Sequence, residues 1–167
     1  DYALSLRFDK RDLERLYDEN ADRLLTSRIA SSWTRQSRTG TQPTVAVFPM
    51  RNETTEHIDR SLDTLLSKIE TDLVNGVDVA VISHETQPDL IAEVKRQQSD
   101  AYDPVRLAQY GRQLGAQYFV TGKVYDVSEY QGDERRVQYF MFLQVLNVAT
   151  GQIEFQSESN ITKAFMR

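Results

Sequence analysis

Residues 44–76, TVAVFPMRNETTEHIDRSLDTLLSKIETDLVNG, decide the fold. Thr44 to Met50 is a short β-branched and apolar run containing Pro49, which has no N–H to give a ladder, so it reads as a buried strand whose pairing stops there. Asn52 to Glu56 has the chemistry of a turn and a helix cap. Ile58, Leu62, Leu65, Leu66, Ile69 and Leu73 then recur at spacings of three and four, the stripe of an amphipathic helix that exits at Asn75-Gly76. Val77 to Ser83 is a second strand. Strand, helix and strand in so short a span predict a right-handed parallel crossover.

Toward the C-terminus, Pro88 with Leu90, Ile91 and Val94 suggests a further helix. Asp103-Pro104 with Val105, Leu107, Ala108, Tyr110 and Leu114 suggests another, capped by Asp, started by Pro and ended by Gly115. Residues 118–127, 136–148 and 152–163 read as long strands, joined by a loop at Gln131-Gly132-Asp133 and a tight turn at Ala149-Thr150-Gly151. They form an antiparallel meander. In its middle strand Tyr139, Met141, Leu143 and Val145 point one way and Phe140, Phe142 and Leu146 the other, so both faces need cover.

Toward the N-terminus, Leu13, Leu16, Tyr17, Ala21, Leu24, Leu25, Ile29 and Trp33 draw one stripe along a single helix from Asp12 to Trp33, with Asp9 or Asp12 as its cap. That stripe is too apolar to stay in water and is expected to dock on the rest of the chain. Thr34 to Pro43 reads as a short solvated connector, and the three arginines Arg28, Arg35 and Arg38 occur there or just before it with no acid among them. The expected architecture is α/β, in detail an α+β arrangement with a mixed sheet of about five strands. Residues 1–43 form an N-terminal helix and connector, and residues 44–167 the main domain.

At 167 residues the chain can bury a core without staples, and with no cysteine it has no disulfide, thiolate nucleophile or cysteine-ligated metal. A net charge of −5 argues against general nucleic-acid binding. No apolar run approaches the roughly 20 residues that span a bilayer, and DYALSLRFDK lacks the basic start and apolar stretch of a secretory signal. Starting at Asp1 without methionine, the chain reads as a processed or truncated product whose targeting segment would lie upstream.

Little in the chain suggests catalysis. Of the two histidines, His57 sits among Glu53, Glu56 and Asp59, but this acidic stretch better suits a solvated helix start than a metal site. His84 follows a strand and reads as a surface or capping residue. The glycines of YGRQLGAQYF end a helix and lead into a strand, the reverse of the order that aims backbone N–H groups at a phosphate. No catalytic residue, cofactor, metal or small-molecule substrate is therefore assigned. Tyrosine and arginine carry much of the energy of protein interfaces, and Tyr125, Tyr130, Arg135, Arg136 and Tyr139 cluster in sequence around the loop between two of the long strands. They form the candidate partner surface. Taken singly, Tyr125 and Tyr139 also read as cross-strand packing partners.

TVAVFPMRNETTEHI leading into SLDTLLSKIETDLVNG, then VAVIS, LGAQYFVTGKV and FLQVLNVATGQIEFQSESNITK, resemble the LpoB family over about Thr44 to Lys163. The preceding helix also fits that family. The resemblance implies a non-enzymatic lipoprotein on the periplasmic side of the outer membrane, lipid-anchored through a cysteine upstream of Asp1. Its implied action is to bind a regulatory domain of a class A penicillin-binding protein and to stimulate peptidoglycan synthesis. Family members carry a long proline-rich arm before the domain, whereas here the corresponding residues read as helix and short connector. The same scaffold also resembles curli-secretion-type lipoproteins and the amino-terminal domain of TolB-like proteins, which makes a secretion, assembly or structural role in the envelope the rival expectation.

Overall fold

A computed structural model describes residues 8–83, 92 and 104–166. These residues form helices α1 (Lys10–Leu25), α2 (Arg28–Thr39), α3 (Asp59–Gly76) and α4 (Pro104–Gln113), and strands β1 (Thr44–Val47), β2 (Arg51–Glu53), β3 (Ala80–Ile82), β4 (Tyr118–Gln131), β5 (Glu134–Asn147) and β6 (Ile153–Met166). The helix expected around Pro88 to Val94, His84 and the expected Asp103 cap lie outside the described residues.

The sheet order is β3-β1-β4-β5-β6, with β2 pairing β4 beyond the end of β1. β1 is parallel to β3 and β4, and β4, β5 and β6 form the antiparallel meander, so the predicted mixed sheet is present with six strands where about five were expected. The added strand comes from the proline. The ladder of β1 ends with the Phe48 N–H on Val120 O at 2.9 Å, then resumes as Arg51 opposite Lys123. Between the pairs Val47–Val120 and Arg51–Lys123, three residues, Phe48 to Met50, face two, Thr121 and Gly122, and the extra residue turns Arg51 and Glu53 to the opposite side from where strict alternation would put them. The expected turn and cap also divide differently. Asn52 belongs to β2, and its side chain accepts from the Thr54 N–H and hydroxyl while donating to Glu56 O. The residue before α3 is Ile58, with no side-chain cap bond.

The N-terminal region is two helices, not one helix and a connector. The apolar stripe continues across the break, which hides it from periodicity. The break itself is chemical: Ser27 Oγ donates to Leu24 O at 2.6 Å and accepts from the Ala30 N–H, which ends α1 and caps α2 in one step. α2 then continues through the residues expected to be solvated connector, as far as Thr39. The two alternatives for the α1 cap are both used, since Asp9 accepts from the Asp12 N–H and Asp12 accepts from the Asp9 N–H.

The main core lies between α1, α2 and α3 and one face of the sheet. Leu16, Trp33, Leu66, Ile69, Leu73, Val45, Tyr139, Met141 and Leu143 all sit in it with almost no exposure. Each such Leu contributes about 1.5–3 kcal/mol by leaving water. Buried polar groups fix where α1 lies. Asn20 Nδ2 donates to Leu16 O, Met141 O and Ser159 Oγ, and Ser159 Oγ donates to Leu16 O at 2.7 Å, so α1 is pinned to β5 and β6. Tyr17 donates to Asp72 at 2.6 Å, joining α1 to α3; burial and that carboxylate raise its pKa far above the usual phenol range.

Among the described residues, the opposite face is covered at one end. Ala46, Phe48, Ala116, Phe119, Leu146 and Val148 form a second, smaller core against Tyr110 and Leu114 of the α4 region. Val105, expected in the buried stripe of this helix, is 67% exposed. α4 ends as expected at a glycine: Gly115 has φ 77°, its N–H donates to Arg112 O, and the Ala116 N–H donates to Gly111 O. Among the described residues no helix is long and apolar enough to cross a membrane.

Candidate functional site

Beyond α4, the second face of β4, β5 and β6 forms the candidate site. Strand alternation and the observed register place Lys123, Tyr125 and Val127 of β4 beside Phe142, Phe140 and Gln138 of β5, and Glu158 and Asn160 of β6 beside Phe142 and Phe140. Arg51 and Glu53 join this face through the extra residue at Pro49.

Tyr125 is its centre. Its ring stacks on Phe140 with centroids 4.8 Å apart and planes 8° apart, and its hydroxyl donates to Glu158 at 2.6 Å. The Lys123 ammonium lies 5.2 Å from the Tyr125 ring and 6.0 Å from the Phe142 ring, and 3.8 Å from Glu53, which also pairs with Arg51 at 3.3 Å. Burial, then the bond to Glu158 and the charges of Glu158 and Glu53, push the Tyr125 phenol up to about 12. At neutral pH it is a held hydrogen-bond donor and not a nucleophile. A cleft of about 320 Å³ opens here, lined by Gly122, Lys123, Tyr125, Phe142, Gln144 and Glu158. Its mixture of aromatic, amide and paired charged groups suits docking of another molecule.

The sheet divides the five residues predicted as a partner surface. Tyr125 and Arg136 lie on this second face; Arg136 is exposed and pairs with Glu134 at 3.5 Å. Tyr130, 60% exposed, and Arg135 lie at the tip of the β4–β5 hairpin with the parity of the helix-covered face. Arg135 is half-buried, 5.8 Å from the Phe165 ring, and donates to Ser128. Tyr139 is 1% exposed; its ring stacks on Phe8 at 4.2 Å and its hydroxyl donates to Glu56 at 2.8 Å. A side chain so enclosed cannot meet a partner. Nor do Tyr125 and Tyr139 pack on each other, because Tyr125 pairs with Phe140 and Tyr139 with Asp126. Closeness in sequence brought these five together on paper, and a period of two separates them in space.

Lys123, Phe140, Phe142, Gln144 and Glu158 were not singled out. Their signal was available in the two apolar faces of the middle strand, but finding them required the β4–β5–β6 register. The His57 group also separates. His57 is exposed, Glu56 is bonded to Tyr139, and Glu53 faces Arg51 and Lys123. Among the described residues no group of His, Asp and Glu is arranged to hold a metal.

No curated protein sequence matches the chain. Among solved structures, it is similar to the lipoprotein GNA1162 of Neisseria meningitidis, at 13% identity over 73% of this chain and 83% of that one, with a TM-score of 0.50. It is also similar to the LpoB C-terminal domain of Salmonella enterica, at 16% identity, 71% and 82% coverage and a TM-score of 0.45. The corresponding domain from Escherichia coli gives 14%, 71%, 82% and 0.46. The likeness to the Neisseria lipoprotein is one of fold. The family described as peptidoglycan-synthase activator LpoB matches residues 12–161, from the first turn of α1 to the middle of β6. With that match covering most of the chain, the chain belongs to the LpoB family of peptidoglycan-synthase activators.

Proposed function

We propose that this chain is a non-enzymatic periplasmic lipoprotein domain, anchored to the outer membrane through an upstream lipidated cysteine, that binds and activates a class A penicillin-binding protein. The observation that carries this reading is the family match over residues 12–161. Activation needs no chemistry from the activator. A domain that binds the active conformation of the synthase more tightly than the resting one shifts the population toward it, and by linkage a synthase held active binds the domain more tightly in return.

The second face of the sheet is the proposed contact, with Tyr125 and Arg136 as its members from the predicted cluster and Tyr130 at the hairpin tip as its margin. Tyrosine and arginine are the side chains that most often dominate such contacts. The test is calorimetry of the purified domain against the periplasmic part of the same organism's class A penicillin-binding proteins, with glycan polymerisation followed in parallel. Saturable binding together with faster polymerisation is the expected result. If the domain binds none of them, the reading fails, and a secretion, assembly or structural role in the envelope takes its place.

A further inference from the structure

α2 is a basic element in an acidic protein. Its sequence, RIASSWTRQSRT, holds Arg28, Arg35 and Arg38 and no acid, while the whole chain carries −5. Ile29, Ala30 and Trp33 are its buried side, and the three arginines are exposed on the other. At 3.6 residues per turn they fall on one side of the helix, with Arg28 and Arg35 two turns, roughly 10 Å, apart along the axis.

This arrangement does not help the helix. Arg28 is the first helical residue, where the positive end of the dipole disfavours a cation, and Arg35 and Arg38 are like charges one turn apart. None of the three makes an ion pair with a described residue, whereas Lys68 of α3, Lys123 of β4 and Arg136 of β5 each have one. The stripe also borders a concavity. A cleft of about 570 Å³ separates Arg28, Ser32 and Arg35 from Ile153, Glu154 and Phe155 at the start of β6, the edge strand. Ile153 is 56% exposed there, and Glu154 faces Asn147 at 3.5 Å.

We propose that the α2–β6 cleft receives a carboxylate-bearing segment of the synthase. Its acidic side chains pair with Arg28 and Arg35, and an apolar neighbour rests on Ile153 and Phe155. The guanidinium fork matches a carboxylate in geometry as well as charge. An anionic bilayer is a poorer occupant, because a flat surface does not enter a cleft and polybasic membrane anchors use about 4–8 cations. The inference rests on the synthase reading and adds a second contact, distinct from the face that carries Tyr125.

Calorimetry with the class A synthases, repeated over a range of salt concentrations, compares the wild-type domain with R28E/R35E and R28A/R35A, with circular dichroism and thermal unfolding as controls. Both positions are exposed, so the fold should survive. The charge reversal should weaken synthase binding by at least about tenfold and flatten its salt dependence, with the alanine pair intermediate. A wild type that binds no synthase overturns both readings. A wild type that binds, alongside an R28E/R35E domain of equal affinity and equal salt dependence, overturns only this inference. Binding of the wild type to vesicles of phosphatidylglycerol and phosphatidylethanolamine, lost in R28E/R35E while synthase binding is unchanged, reassigns the stripe to the membrane.

Discussion

Tyr139 and Tyr125 sit on the two faces of one sheet and make nearly the same contacts. Each stacks its ring on a phenylalanine, Phe8 for one and Phe140 for the other, and each donates its hydroxyl to a glutamate, Glu56 or Glu158. Yet Tyr139 is a core residue and Tyr125 lies on a partly open surface. The difference lies in what covers them. α1 packs on β5 and β6 and α3 on α1, so the face of Tyr139 is closed, while among the described residues the α4 region covers the other face at its far end only. A side chain's contacts alone therefore do not say whether it stabilises the fold or serves a partner.

The comparison breaks most visibly under truncation. Tyr139→Ala should cost about 3–5 kcal/mol in urea unfolding, the range for removing a large buried aromatic side chain. Tyr125→Ala should cost roughly 1 kcal/mol and show instead as weaker binding to the synthase. Equal stability losses at the two positions would mean that the second face is as closed as the first.

Gly122→Ala tests the middle of the sheet between them. A Cβ at residue 122 would collide with the Phe142 backbone carbonyl and approach Met50 Cε to 2.8 Å. The strands must separate to admit it, and a loss of about 1–3 kcal/mol is expected, read as a lower denaturation midpoint at unchanged slope. Wild-type stability would show that β4 and β5 are not so closely paired there.

The smallest effect is on pH dependence. The folded state holds the Tyr125 proton up to about 12, whereas an unfolded tyrosine releases it near 10. The folded pKa is the higher one, so the stabilising contribution is complete below the unfolded value and is lost as pH rises from there through the folded value. Tyr139 shifts in the same direction through burial and Glu56. Phenolate absorbance should therefore show Tyr125 ionising well after an exposed tyrosine, and Tyr125→Phe should remove that late step. A Tyr125 that titrates near 10 in the folded protein would break the bond to Glu158.

Much of the fold was legible locally. The α3 stripe, the Gly115 helix end, the parallel β1–α3–β3 unit and the meander follow from residue spacing, proline and glycine, because each depends on backbone preferences and apolar periodicity within a few residues. The capping of α2 by Ser27 was equally local, but the continuous stripe from Leu13 to Trp33 obscured it. The extra residue at Pro49 was visible as an interruption, and not as the device that turns Arg51 and Glu53 to the second face. The candidate site was less legible, since Tyr125 and Tyr139 were read as neighbours.

By itself the sequence determined the α3 helix, the parallel strands β1 and β3 and the three long meander strands, which residues are apolar enough to need burial, and that the stretch from Arg28 to Arg38 concentrates arginine without acid. Tertiary structure alone decided that Tyr139 is core and Tyr125 surface, that Lys123 and Glu158 meet around Tyr125, and that Arg28 and Arg35 border a cleft with Ile153. The physical reason is range. Propensity and capping act over a few residues, whereas exposure depends on which face of a sheet the helices cover, and that follows from packing between segments more than a hundred residues apart, as in the bond from Asn20 to Ser159.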